Sequence, residues 1–150
     1  MGTEQRRAPR TAITMTLTLK PRDSDTGQWL EVPVEATMVD MSVYGARLRL
    51  PHIQSGSLHL FYDFNDHPFR HLEMEIFDQE RNARFIIAAH PVWFTRIDSL
   101  EGRPFELGMQ FLIGPHDPGI LRLKALSRRR SGGMGGWMRE LFAGIWSGGE

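Results

Sequence analysis

Apolar residues recur at every second position along most of this chain, and a period of two is the repeat of an extended strand with one buried face. In Ile13-Thr14-Met15-Thr16-Leu17-Thr18-Leu19 the apolar members alternate with threonine, which is itself at home on a pleated surface. Ala46, Leu48 and Leu50 fall on one side of a strand and Arg47 and Arg49 on the other. Leu72, Met74 and Ile76 repeat the pattern against Glu73 and Glu75, which are read as solvated outward positions. Leu30 to Val39 is extended, Leu58, Leu60 and Tyr62 continue the alternation, and Ala83 to Ile97 reads as one long bent strand with a bulge or edge position at Pro91. Turn clusters such as Arg22-Asp23-Ser24-Asp25-Thr26-Gly27 separate the runs. Many short strands with one strong helix start predict a barrel or a sandwich. That start is Asp117 as N-cap with Pro118 in the first helical position, after which Ile120, Leu121, Leu123 and Leu126 can cover an open barrel end.

At 150 residues the chain suits one domain with a core large enough to need no staples. The absence of cysteine excludes disulfides, thiol catalysis and a cysteine-based zinc site. No apolar run approaches the roughly 20 residues that span a bilayer, and the basic N-terminus lacks a signal-peptide core, so a cytoplasmic location is expected. A net charge of zero argues against bulk nucleic-acid binding. Positive charge is instead gathered at Arg6, Arg7 and Arg10, and again at Arg128, Arg129 and Arg130.

Two motifs carry the chemistry. Arg6-Arg7-Ala8-Pro9-Arg10 places arginines at R-x-x-x-R spacing in a polar arm without periodicity. Arginine presents a fixed fork of donors that suits phosphate or the O6/N7 edge of guanine, and it stacks on base faces. Asp40-Met41-Ser42-Val43-Tyr44-Gly45 is a D-x-S-x-x-G turn between two alternating runs. Asp40 is an acceptor suited to guanine N–H donors, Ser42 donates or accepts beside it, and Gly45 is expected to adopt positive φ so that backbone can approach a ligand. Taken singly, the first motif reads as a solvated basic arm and the second as an ordinary turn. In this order and separation they point to a receptor for a purine that carries phosphate.

With Ala46-Arg47-Leu48-Arg49-Leu50, Ala89-His90-Pro91-Val92-Trp93-Phe94-Thr95-Arg96 and Phe105-Glu106-Leu107-Gly108-Met109-Gln110-Phe111, these motifs resemble a PilZ domain over roughly residues 4–130. The resemblance implies a mainly β fold: a six-stranded antiparallel PilZ-type barrel that binds cyclic di-GMP on its outer surface, with a C-terminal helix. It implies ligand contacts from Arg6 and Arg10 and from Asp40, Ser42 and Gly45, with Arg7 and Arg47 as further candidates. Many family members carry an additional Arg directly before R-x-x-x-R, associated with two stacked ligands; Gln5 stands there, which favours one ligand per domain. The expected role is a receptor or adaptor, not an enzyme, whose arm is ordered by cyclic di-GMP and which signals to a partner protein. The alternative is a PilZ-like protein-interaction module that binds no nucleotide; a basic arm for RNA or DNA on a β-barrel is a third reading. No cofactor beyond the ligand is implied.

The chain divides into a ligand-binding arm (1–11), a barrel with its closing helix (12–130), a Gly-rich linker (131–136) and an amphipathic segment (137–150). In the last, Trp137, Met138, Leu141, Phe142, Ile145 and Trp146 give one broad apolar face on a short helix, which needs a surface to pack on: its own barrel, a partner or a second copy. Membrane contact is not expected from a segment with Arg139 and Glu140 as its charges before the terminus. Elsewhere, His67 and His71 are four apart, but Pro68 between them argues against a helix that would align them as metal ligands. Ser42 lies near Asp40 without a placed histidine, so a hydrolase has no positive support.

Overall fold

Eight strands and two helices run through residues 11–133, the part of the chain described by a computed structural model, with side chains from residue 12 to residue 128. In order they are β1 (Thr11–Asp23), β2 (Val34–Met41), β3 (Gly45–Leu50), the short β4 (Gln54–Ser55) and β5 (Leu58–His59), α1 (Tyr62–Asn65), β6 (Arg70–Asp78), β7 (Ala83–Arg96), β8 (Phe105–Phe111) and α2 (Pro118–Gly133). The predicted arm with Arg6, Arg7 and Arg10, and the segment 137–150, lie outside the described residues. Six strands close a barrel in the order β1-β2-β3-β8-β7-β6, every neighbouring pair antiparallel, while β4 and β5 form a separate two-stranded ribbon.

The alternation in the sequence is what fills this barrel. Leu19, Met38, Leu48, Leu72, Met74, Ile76, Ile87 and Leu107 are fully buried and meet in its centre. Each such side chain contributes roughly 1.5–3 kcal/mol relative to exposure. One mouth is plugged by Leu60 and Phe64 from the β5–α1 excursion, both fully buried. The other is covered by α2 through Ile120, Leu123 and Leu126. The α2 start is as its residues dictate: Asp117 Oδ1 accepts from the Gly119 amide at 2.8 Å. The helix continues to Gly133, into the first half of the Gly-rich stretch.

Four expectations are corrected. Tyr62 is not a strand residue: α1 begins there, its first amides held by His59 Nδ1, which accepts from Phe61 N and Tyr62 N at 3.1 Å each. Leu121 does not close the barrel end and is half exposed, because it falls on the outer side of α2. Glu73 is not a solvated carboxylate but is nearly buried, accepting from Arg22 Nη1 at 3.0 Å and His71 Nε2 at 3.2 Å. Gly45 does not take positive φ; among the described glycines Gly27, Gly56 and Gly102 do. A Cβ at Gly45 would instead collide with the Met109 carbonyl of β8, so the residue is glycine for close approach of two strands.

Register shifts decide which side chains reach the outer surface. Between β2 and β3 the pairs Met38–Leu48 and Asp40–Arg47 leave Val39 as an extra residue, so Asp40 leaves the inward series of Ala36 and Met38 and pairs with outward Arg47. Between β1 and β2 a further extra residue separates Ala12–Asp40 from Met15–Met38. On β7 the pairs Pro91–Met109 and Trp93–Gly108 make Val92 the extra residue, the bulge expected at Pro91.

Candidate ligand-binding face

The three shifts bring one row of residues across five strands: Ala12 (β1), Asp40 (β2), Arg47 (β3), Gly108 (β8) and Trp93 (β7). Asp40 is fully buried. Arg47 is held by Glu106, Nη1 to Oε1 at 3.2 Å, and the same carboxylate takes Arg49 through Oε2 at 2.7 Å. Glu106 is itself nearly buried, so it holds two guanidinium groups on the outer face in a defined position, and charge-assisted pairs of this kind are the strong ones. Gly108 carries no side chain because the Trp93 indole lies against it; a Cβ there would collide with that ring. Trp93 remains more than a third exposed.

The D-x-S-x-x-G turn stands at the end of this row. The Ser42 amide donates to the Gly45 carbonyl at 2.8 Å, and Ser42 Oγ accepts from the Tyr44 amide at 3.2 Å. The Phe111 amide donates to the Tyr44 carbonyl at 2.9 Å, tying the turn to the last barrel strand. β1 enters directly opposite: Thr11 pairs with Met41 and Ala12 with Asp40. In the sequence, Arg10 is the residue immediately before Thr11. Asp40, Ser42, Gly45 and Arg47 are thus brought together, while Arg6, Arg7 and Arg10 lie outside the described residues.

Sequence reasoning does not single out Trp93 as a site residue. Its strand is legible, but a strict alternation through Pro91 turns Trp93 to the interior, and Val92 as the extra residue reverses that.

A second polar cluster sits where β1 meets β6. Ser24 Oγ donates to His71 Nδ1 at 2.5 Å, and His71 Nε2 donates to Glu73 Oε2 at 3.2 Å. The hydroxyl–imidazole–carboxylate order has the form of a hydrolytic triad, yet its surroundings are structural. Glu73 is also bound by Arg22, whose guanidinium stacks 4.2 Å from the Trp29 ring. The amides nearest Ser24 are engaged too: Asp25 and Thr26 donate to Asp23 Oδ1, and Ser24 N donates to the Phe69 carbonyl. Those hydrogen bonds, led by the one from Thr26, hold the Asp23 carboxyl below its usual range. The cluster closes the β1–β2 loop onto β6, and the amides beside Ser24 are committed to that closure rather than to an oxyanion.

Among the described residues no helix is long and apolar enough to cross a membrane, and no group of three or more His, Cys, Asp or Glu side chains could hold a metal ion.

No protein-family model matches the chain, and no curated protein matches it. Among solved structures it is similar to the PilZ domain with c-di-GMP of YcgR from Escherichia coli. The two are 15% identical, with a TM-score of 0.52 over 84% of this chain and 91% of that one. The closed six-stranded barrel with a helix near the C-terminus is a PilZ-type fold.

Proposed function

We propose that this PilZ-type barrel is a receptor for cyclic di-GMP and that the ligand is held between the outer β-face and the arginine arm. The observation that supports it most is the register of β1: the chain that follows Arg6, Arg7 and Arg10 joins the barrel at residues paired with Met41 and Asp40 of the D-x-S-x-x-G motif.

Each part of the face suits part of the ligand. Arg10 and Arg6 supply bidentate donors for phosphate and guanine edges, with Arg7 as a further donor. Asp40, Ser42 and Gly45 frame a base from the barrel side. Arg47, positioned by Glu106, adds positive charge in the same row, and the exposed face of Trp93 offers a stacking platform for a base. Binding orders the arm, and the altered surface is read by a partner protein. The chain acts as an adaptor in the cytoplasm and not as an enzyme, and Gln5 favours a single ligand per domain.

The test is calorimetric titration with cyclic di-GMP, with GTP and cyclic di-AMP as controls. Saturable, guanine-selective binding is expected, and Arg10→Ala should remove it while leaving the barrel folded. Losing one partner of a buried charge-assisted contact costs about 2–5 kcal/mol, enough to abolish useful binding at micromolar affinity. Undiminished affinity in Arg10→Ala would overturn the assignment of the arm. Absence of any heat or thermal stabilisation in the unaltered protein would leave a protein-docking barrel.

A further inference from the structure

We infer that the chain's own C-terminal segment, residues 137–147, docks on an exposed apolar stripe that crosses the outer face of the barrel from β6 over β7 to the end of β8. The inference goes beyond the proposed binding function and does not depend on it. The stripe is Phe77, Ile86 and Leu112, which are 41%, 47% and 54% exposed. Their adjacency follows from register. Phe77 pairs with Arg84, two residues before Ile86, and the Leu112 amide donates at 2.9 Å to the carbonyl of Ala88, two residues after it. Phe77 and Leu112 are therefore each diagonal neighbours of Ile86, a spacing of about 7–8 Å that long side chains bridge. Arg84 and Glu75 form a polar rim, with Arg84 Nε 3.8 Å from Glu75 Oε1. The barrel does not require apolar groups on its outside: the outward positions Thr14 and Thr16 of β1 are exposed and polar. A contiguous apolar surface with a polar rim has the anatomy of a docking site.

Reach, pattern and tethering identify the occupant. Arg122 of α2 stands beside the stripe: its Nε lies 3.2 Å from Oδ2 of Asp78, the residue after Phe77, and its guanidinium 4.6 Å from the ring of Phe85, the residue before Ile86. From Arg122 to its end at Gly133 the helix rises about 16 Å. Residues 134–136 then make a connection of the short kind that joins antiparallel helices. A helix over residues 137–147 rises about 15 Å, and so returns to the level of Arg122 with Ile145 and Trp146 beside Phe77 and Ile86. At helical spacing Trp137, Met138, Leu141, Phe142, Ile145 and Trp146 cover about half of its circumference, and Arg139 and Glu140 fall outside that arc. Burial of this face supplies the packing that so short a helix requires. The short tether also holds the segment near the stripe at an effective concentration of about millimolar, well above that of a second copy in micromolar solution.

The chain has no cysteine, so one introduced pair reports one proximity. The experiment follows disulfide formation in the full chain at micromolar concentration, for Arg84→Cys with Ile145→Cys and for Thr16→Cys with Ile145→Cys. Arg84 borders the stripe, whereas Thr16 faces outward on β1, a strand that α2 also packs against and that the tethered segment can equally reach. The Arg84 pair should close within one chain about tenfold faster or more, the ratio reading the two effective concentrations. Adding Ile86→Lys to the Arg84 pair should slow it to the rate of the Thr16 pair, with a cooperative thermal transition as the folding control. Should Ile86→Lys lose that transition, Leu112→Lys makes the same test at the other end of the stripe. Equal rates for the two pairs, or a lysine variant that closes as fast as its parent, overturns the inference. Disulfides formed mainly between chains overturn it as well, and assign the stripe to a second copy.

Discussion

Replacing Gly45 separates two physical reasons for a glycine in the D-x-S-x-x-G turn. Its backbone lies outside the left-handed region, and a Cβ would meet the Met109 carbonyl, a backbone atom that cannot rotate away. Gly45→Ala must therefore push β3 from β8 where the ladder begins. Two hydrogen bonds lie in that displacement, Phe111 N to Tyr44 O at 2.9 Å and Ser42 N to Gly45 O at 2.8 Å. Overpacking costs about 1–3 kcal/mol and each weakened hydrogen bond up to about 1 kcal/mol, for a sum of about 1–5 kcal/mol. For a chain of this size that lowers the melting temperature by about 2–20 °C. Gly45→Asn supplies the contrast, because asparagine tolerates positive φ better than alanine but needs at least as much room. It should be no better than Gly45→Ala. Gly27 is the control, with φ of +76° and no neighbouring atom within 4 Å of the place a Cβ would take. There alanine should cost about 1–2 kcal/mol, and asparagine should recover much of it. Thermal and urea unfolding of Gly45→Ala, Gly45→Asn, Gly27→Ala and Gly27→Asn decides the matter. The close-approach account is refuted if Gly45→Asn is clearly more stable than Gly45→Ala. It is equally refuted if Gly45→Ala stays within about 0.5 kcal/mol of the parent, the scatter of ordinary surface substitutions.

Removal of the α2 N-cap by Asp117→Ala should lower stability by about 1 kcal/mol, read as a shift in urea midpoint at constant slope. Burial lowers the affinity of His59 for a proton, with Asp63 opposing, and protonation would also cancel the acceptor that caps α1. The folded state thus binds fewer protons than the unfolded one, so this contribution is complete above about pH 6.5 and is lost as pH falls below it. His59→Asn keeps an acceptor for the amides without titrating, and should flatten the stability profile between about pH 5 and 7, either side of the ordinary histidine value.

The barrel is legible in the sequence because burial on one face writes itself as alternation: Leu72, Met74 and Ile76, or Ala46, Leu48 and Leu50, need no tertiary information to be read. The α2 start is legible for a similarly local reason, a side-chain cap. The misread residues are those whose surroundings alternation alone does not encode. Glu73 looks solvated until Arg22 and His71 cover it, and Tyr62 looks like a strand residue until the His59 ring caps a helical turn. Asp40 is legible as a motif residue, but its place in the outward row is not, since Ala36-Thr37-Met38-Val39-Asp40 by simple alternation sends it inward. The role of Gly45 stays hidden because nothing local reveals the Met109 carbonyl, which arrives from a strand far along the chain.

The extra residues at Val39 and Val92 are the points at which each strand departs from alternation. Were either strand to pair regularly at its present length, Asp40 or Trp93 would turn inward. Without the valine, Met38 and Asp40, or Pro91 and Trp93, would be ordinary neighbours of opposite facing, and the row would stay outward. The two bulges are thus a constraint of their own, separate from the identity of any residue that touches a ligand.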